Sequence, residues 1–280
     1  MTIHLAQHYG MCFGVRDALR ATHTAAQLEP LTVLGQLVHN PVVDAQMSRL
    51  GVKRGELDDL SSATTQRVVI TAHGSAQSQR LRWERAGYQI TDTSCPLVRK
   101  AHQALAVLVE EGYHPVIVGQ RLHAEVKGLL GDWPHASVIL TKAEAESLPP
   151  HLKLGIISQT TQPLDHVLNL VAMVKRQQPC SEVRFVDTVC HPTKQRQTAV
   201  EQLAQVCGLI LVIGGRNSNN TRQLVEKASS LGVRARQIET PEELRPEWFS
   251  QVTDVGVTAG TSTLDETVRA VLDRLQTFNA

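Results

Sequence analysis

The sequence predicts an α/β fold of three similar modules, each with a mainly parallel sheet, and two observations carry that reading. Six short apolar, β-branched runs each end in a polar loop and lead into a stretch with helical periodicity. Three cysteine-bearing segments of like pattern recur at spacings of 83 and 95 residues, with two strand-loop units between successive cysteines. Near-continuous apolar strands alternating with amphipathic helices are the pattern of parallel sheets covered by helices on their faces.

The six runs are TVLGQLVHN (32–40), VVITAHG (68–74), PVIVGQRLHAE (115–125), LGIISQTTQ (154–162), LILVIGGRNSNNT (209–221) and DVGVTAGTST (254–263). In parallel sheets a ligand binds beyond the carboxyl ends of the strands, where all six polar loops would sit. The loops are therefore expected to converge on one site. The cysteine segments YGMCFGVRDALRA, DTSCPLVRKAHQAL and DTVCHPTKQRQTAV each place a cysteine just before a helical pattern. The simplest division is into modules of 13–94, 95–188, and 189–280 joined by 1–12, whose pseudo-threefold arrangement would bring three cysteines together. At roughly 100 to 150 residues per domain, a chain of 280 residues divides into two or three units in any case.

Composition excludes several function classes. Lys plus Arg number 28 against 27 Asp plus Glu, so no basic excess is available for nucleic acid or an anionic membrane. A small molecule is the better substrate class. The N-terminal MTIHLAQHYGMC lacks a positive leader and an apolar signal stretch, and the longest apolar run, VCGLILVI (206–213), has the length of one buried strand. A cytoplasmic protein without a membrane span is expected. Five cysteines in such a chain point to metal binding or catalysis rather than to disulfides.

Cys12, Cys95 and Cys190 each stand at the mouth of a helix, where backbone N–H groups and the positive dipole end favour thiolate. Structural zinc takes four ligands, commonly as close pairs, and no C-x-x-C pair occurs here. A 4Fe-4S cluster with three cysteine ligands fits better, because it leaves one iron open to substrate as a Lewis acid. Taken singly, each cysteine is as readily a small buried residue; three in matching contexts are not. Cys207, beside an apolar run, reads as core, and Cys180 as structural.

The six loops carry His39, His73, His123, Glu125, Thr160, Thr161, Ser218, Asn219, Asn220, Thr261, Ser262 and Thr263. Hydroxyls, amides, histidines and helix N-termini together suit a phosphate or diphosphate without a lysine clamp. Neither G-x-x-x-x-G-K-[ST] nor a G-x-G-x-x-G after the first strand is present, which disfavours a nucleotide. Glu125, two residues after His123, is the carboxylate close to a strand end, and with a hydroxyl such as Thr160 it could deliver protons to a reductive step. Any one of these Ser, Thr or Asn residues could instead be an ordinary helix cap.

These residues fall in GMCFGV, LVHNP, AHG, DTSCPLVRK, HAEVKG, SQTT, DTVC with KQRQ, NSNNT and TAGTS, and in that order and spacing the whole chain resembles the LytB/IspH family, the 4-hydroxy-3-methylbut-2-enyl diphosphate reductases of isoprenoid biosynthesis. The resemblance implies a trefoil of three α/β modules around one 4Fe-4S cluster per chain, held by Cys12, Cys95 and Cys190, with the fourth iron facing the substrate hydroxyl. It implies that His39, His73, His123, Ser218, Asn219, Asn220 and Ser262 bind the diphosphate, with Thr160 beside them. Glu125, Thr160 and His123 would act in catalysis. The implied reaction consumes two electrons, drawn from a ferredoxin or flavodoxin, and two protons, expels water, and forms isopentenyl and dimethylallyl diphosphate. The chain departs from the usual family pattern at Asn219, in SAQS after His73, in HAEVKG, and in VRD after GMCFG. Two further readings use the same residues: a paralogous iron-sulfur reductase of another substrate, and a non-catalytic iron-sulfur redox sensor. A sensor has no use for the proton delivery suggested by Glu125 and Thr160.

Overall fold

A computed structural model describes residues 1–38 and 40–278. Strand β1 (Thr2–Leu5) and helix α1 (Phe13–Leu28) come first, followed by β2 (Leu31–Leu34), α2 (Pro41–Arg49), β3 (Lys53–Gly55), β4 (Arg67–Ile70), α3 (Gln77–Arg85) and β5 (Gln89–Asp92). Strands β2 to β5 form one sheet in the order β3-β2-β4-β5, every pair parallel. Helix α4 (Pro96–Glu110) leads to β6 (His114–Val118), α5 (Ala124–Asp132), β7 (Ser137–Ile139), α6 (Lys142–Glu146), β8 (Lys153–Ser158), α7 (Leu164–Gln177) and β9 (Glu182–Phe185). Their sheet is β7-β6-β8-β9, again parallel. The last elements are α8 (His191–Ala204), β10 (Leu209–Ile213), α9 (Asn219–Ser230), β11 (Arg234–Ile238), β12 (Asp254–Ala259) and α10 (Asp265–Gln276).

The third sheet runs β1-β12-β10-β11, also parallel. Read from its own first strand, β10, it has the same plan as the other two, with the second strand on one side and the third and fourth on the other. Strand β1 fills the fourth place, so the start of the chain completes the sheet formed by its end. The expected α/β class with parallel sheets is therefore what the chain adopts. No helix among the described residues is long and apolar enough to cross a membrane.

The two middle strands of each sheet are the six apolar runs, and each alternates its side chains between two helical layers. Val116, Leu154 and Ile156 face one cluster with Val167, Leu170 and Val174 of α7. Ile117 and Ile157 face the other, with Leu105 and Leu108 of α4 and Leu129 of α5. In the third sheet Leu209, Leu211, Val255 and Val257 meet Val268 and Val271 of α10, whereas Ile210 and Val212 meet Val200 of α8 and Leu224 of α9. In the first, Leu31, Val33 and Val69 meet Ala18 of α1, and Leu34, Val68 and Ile70 meet Trp83 of α3. Each such fully buried aliphatic side chain contributes about 1.5–3 kcal/mol. The described residues pack as two compact units, one of Met1–Val15, Val38–Val43 and the chain from His191 on, the other of Arg16–Leu37 and Asp44–Cys190.

Within the first unit the N-terminus of α9 is seated against two backbone turns. A Cβ on Gly260, just past β12, would lie 2.1 Å from Thr221 Oγ1, and one on Gly214, just past β10, 2.5 Å from the same atom. Glycine at both places lets α9 approach the ends of both strands. Gly260→Ala is expected to lower the unfolding free energy by about 1–3 kcal/mol through overpacking. Adding Thr221→Ala should restore part of that loss, because the clashing hydroxyl is buried and has no hydrogen-bond partner among the described residues. Urea unfolding of the two single variants and the double variant reads the coupling; equal losses with and without Thr221 would place the strain elsewhere.

Candidate active site

The three cysteines are held by one repeated backbone contact. Each follows the fourth strand of a sheet and directly precedes a helix, and each donates its N–H to the carbonyl two residues past the third strand. Cys95 donates to Ala72 at 3.0 Å, Cys190 to Thr160 at 2.9 Å and Cys12 to Thr261 at 3.2 Å. Cys95 is the N-cap of α4, with proline at the first helical position, where no N–H is needed. All three are half-buried thiols outside any disulfide, whereas Cys207 is buried in the core and Cys180 is exposed. Among the described residues no group of three or more His, Cys, Asp or Glu side chains could hold a metal ion.

In the unit that contains Asp44–Cys190, four of the expected site residues form a chain of contacts. The rings of His73 and His123 meet edge to face with centroids 5.4 Å apart. His123 caps α5, its Nδ1 accepting from the N–H of Glu125 at 3.2 Å, which places the proton of the neutral ring on Nε2. The Glu125 carboxylate accepts from the N–H of Thr160 at 2.7 Å through Oε1 and from its hydroxyl at 2.9 Å through Oε2. Thr160 in turn supplies the carbonyl that receives the Cys190 N–H. Glu125 is only 1% exposed. That burial pushes its carboxyl up to about 7, against the two Thr160 hydrogen bonds, which favour the charged form.

In the other unit the residues after β10 and β12 interlock. Ser218 caps α9, accepting from the Thr221 N–H at 3.3 Å, and Asn219, Asn220 and Thr221 form a buried first turn. Asn220 Oδ1 accepts from the N–H of Thr261, the residue whose carbonyl anchors Cys12. Its Nδ2 is buried with no hydrogen-bond partner among the described residues, a donor held open at a helix N-terminus. The Asn219 side chain accepts from Arg222 at 2.9 Å. His39 lies outside the described residues.

Two residues of this neighbourhood were not singled out from the sequence. Arg196 of α8 is 5% exposed and donates to the Pro192 carbonyl at 2.8 Å and to the carbonyl of Gly10, two residues before Cys12. A buried guanidinium thus fixes the turn that presents the Cys12 thiol; the basic residue inside KQRQ was its sequence signal. Asn40 Nδ2 donates to the carbonyl of Ser262 at 2.7 Å, and its Oδ1 accepts from the Val42 N–H at 2.9 Å. The Asn-Pro step ahead of α2 was the signal there.

Parallel α/β sheets of one repeated plan, whose strand-end loops carry anchored thiols, polar caps and a near-neutral carboxyl, place this chain among α/β enzymes that work at the carboxyl ends of their strands. It belongs to the LytB family, whose LytB protein model matches residues 3–276. It is 36% identical to the 4-hydroxy-3-methylbut-2-enyl diphosphate reductase of Geobacter metallireducens over 282 residues, covering 100% of this chain and 99% of that protein. The reductase of the same name from Aquifex aeolicus is 34% identical over 98% of this chain and 96% of its own length. Among solved structures, the E-1-hydroxy-2-methyl-but-2-enyl-4-diphosphate reductase of Plasmodium falciparum shares the fold, with a TM-score of 0.92 at 24% identity over 98% of this chain and 88% of that one. A second, (E)-4-hydroxy-3-methyl-but-2-enyl diphosphate reductase, described as the terminal enzyme of the non-mevalonate pathway, gives 0.71 at 32% identity over 99% and 100%.

The raised Glu125 pKa has a signed consequence for stability. Below its ordinary value of 4.5 the carboxyl is protonated whether the chain is folded or not, and its burial carries no charge penalty. As pH rises towards about 7 the unfolded chain ionises first, so stability is lost across that window and levels off above it. Glu125→Gln removes the titration. The stability of the variant relative to wild type is expected to rise by on the order of 3 kcal/mol between those limits, read by urea unfolding at a series of pH values. A pH-independent difference would mean that the carboxyl titrates normally.

Proposed function

We propose that this chain is an iron-sulfur enzyme that reductively dehydroxylates 4-hydroxy-3-methylbut-2-enyl diphosphate to isopentenyl and dimethylallyl diphosphate. Family membership and full-length likeness to reductases of that name support the reaction. One observation carries it to residues: Thr160, which gives both its N–H and its hydroxyl to buried Glu125, also supplies the carbonyl that anchors Cys190.

Cys12, Cys95 and Cys190 are the proposed ligands of a 4Fe-4S cluster. The donor set suits it, being three half-buried thiols anchored alike at helix starts. A cubane takes one thiolate at each of several corners, so it does not need the single-ion convergence that a lone metal requires. Bound there, a cluster would relay the two electrons one at a time and offer an open iron as Lewis acid for the substrate hydroxyl. Electrons would reach it from a ferredoxin or flavodoxin. The three-module division at 13–94, 95–188 and 189–280 with 1–12 is part of the same proposal, and it places each cysteine at or next to a module boundary.

The protein's own groups then have distinct work. His39, His73 and His123 would hold the diphosphate with Ser218, Asn219, Asn220 and Ser262, the open Asn220 Nδ2 and the α9 N-terminus being donors suited to an anion. Glu125, poised near neutral pH, can hold a proton in the dark of the core and release it. When Glu125 is protonated its O–H donates to Thr160 Oγ1, which frees the threonine O–H for the substrate. The balance is one C–O bond broken, one C–H bond formed, two electrons and two protons consumed, and water released.

Anaerobic protein with a reconstituted cluster and an artificial reductant is expected to convert the hydroxylated diphosphate to the two C5 diphosphates; no turnover in a fully loaded sample would sink the assignment. Glu125→Gln should keep the cluster's visible absorbance and lose about 10²–10⁴-fold in turnover. Undiminished turnover would take Glu125 out of the proton path.

A further inference from the structure

Asn40 follows His39 and precedes Pro41, the first residue of α2, so it is the N-cap of that helix. Its Oδ1 accepts from the N–H of Val42 at 2.9 Å, an ordinary cap contact, and Pro41 stands where no N–H is needed. Capping leaves the other end of the amide unspent. Nδ2 donates to the carbonyl of Ser262 at 2.7 Å, across 222 residues of sequence. Both residues are buried, which shields that bond from water.

The cap does not by itself call for asparagine. Serine and aspartate cap a helix about as well, and neither has a second polar atom that donates while the first accepts. The contact with Ser262 is what requires the amide.

That contact lands on a loop that is already fixed. The carbonyl of Thr261 receives the N–H of Cys12 at 3.2 Å, and the N–H of Thr261 is given to Asn220 Oδ1 at 3.0 Å. On the other side of Ser262, the Thr263 hydroxyl donates to the carbonyl of Ile213, the last residue of β10, at 2.9 Å. Ser262 thus lies between two tethered threonines, and a fixed loop makes a fixed anchor. The segment Val38–Val43 packs in the same compact unit as this loop.

We propose that Asn40 is a positioning residue of the diphosphate site: its Nδ2 bond to Ser262 holds the segment that carries His39 beside the loop that carries Ser262 before any ligand arrives. The inference rests on the diphosphate reading of the site, in which His39 and Ser262 both hold the anion. Donors borne by separate segments of chain bind one ligand well only when neither segment has to be ordered at the moment of binding. The Asn40 amide removes that cost for the His39 segment.

Asn40→Ser keeps a cap and loses the tie; Asn40→Ala loses both. Inorganic diphosphate is titrated anaerobically into cluster-loaded wild type and both variants by calorimetry, beside steady-state turnover. Both variants are expected to bind it about tenfold more weakly, the equivalent of one hydrogen bond, and to raise KM for the hydroxylated diphosphate by a like factor with kcat within about twofold of wild type. Only Asn40→Ala should lower the melting temperature, through the lost cap. Iron content and visible absorbance should match wild type in both. Unchanged affinity and KM in Asn40→Ser overturns the proposal, and a loss confined to Asn40→Ala would assign the residue to the helix cap alone. A fall in kcat at unchanged KM overturns it too. Wild type that binds no diphosphate and forms no C5 product overturns the reductase reading, and this inference with it.

Discussion

A parallel strand buried on both faces has no side chain to spare for chemistry. In the middle strands β2, β4, β6, β8, β10 and β12 nearly every position is buried, alternately against one helical layer and the other. Function is thereby pushed to where the strands stop. In each sheet the chain leaves the first middle strand towards one edge and the third towards the other, so the loops part at the carboxyl ends of the pair and leave a crevice between them. Every expected site residue in the described structure other than the three cysteines lies in one of these loops or at the start of the helix beyond it, and the cysteines follow the fourth strands.

The same constraint explains how three thiols come to be placed alike. A cysteine that follows a fourth strand must turn back towards the middle of its sheet to start the next helix. The carbonyl it meets there is the one two residues past the third strand, and the hydrogen bond is made in all three cases. The contact satisfies a backbone group that would otherwise go unpaired at a turn, and it sets each thiol at the start of a helix. It also ties the thiol loops to the polar loops, since Thr160 and Thr261 serve Glu125 and Asn220 as well as a cysteine.

The middle strands could be read from the sequence and the edge strands could not, for one physical reason. A middle strand is apolar at nearly every position, as in LILVI; an edge strand such as β3 (KRG), β9 (EVRF) or β11 (RARQI) is wet on one side and carries charges among its apolar residues. The site divides in the same way. The thiols, histidines and caps follow strand ends and announce themselves by position. Arg196 does its work from the middle of a helix, through the distant carbonyl of Gly10, and Asn40 through the backbone of Ser262, contacts that no local pattern encodes.

The Glu125 environment shows which demand prevailed in the core. A carboxylate taken out of water strongly disfavours its charge, and hydrogen bonds from a single threonine recover only part of the cost, which is why the net effect is upward. A glutamine would make the same two contacts with Thr160, accepting from the N–H and donating to the hydroxyl, without the electrostatic penalty. Structure alone therefore gives no reason for an acid here. What a glutamine cannot do is change its proton count near neutral pH, and a buried group that can do so, hydrogen-bonded to the residue that anchors Cys190, suits the proton path proposed for it at some expense to stability.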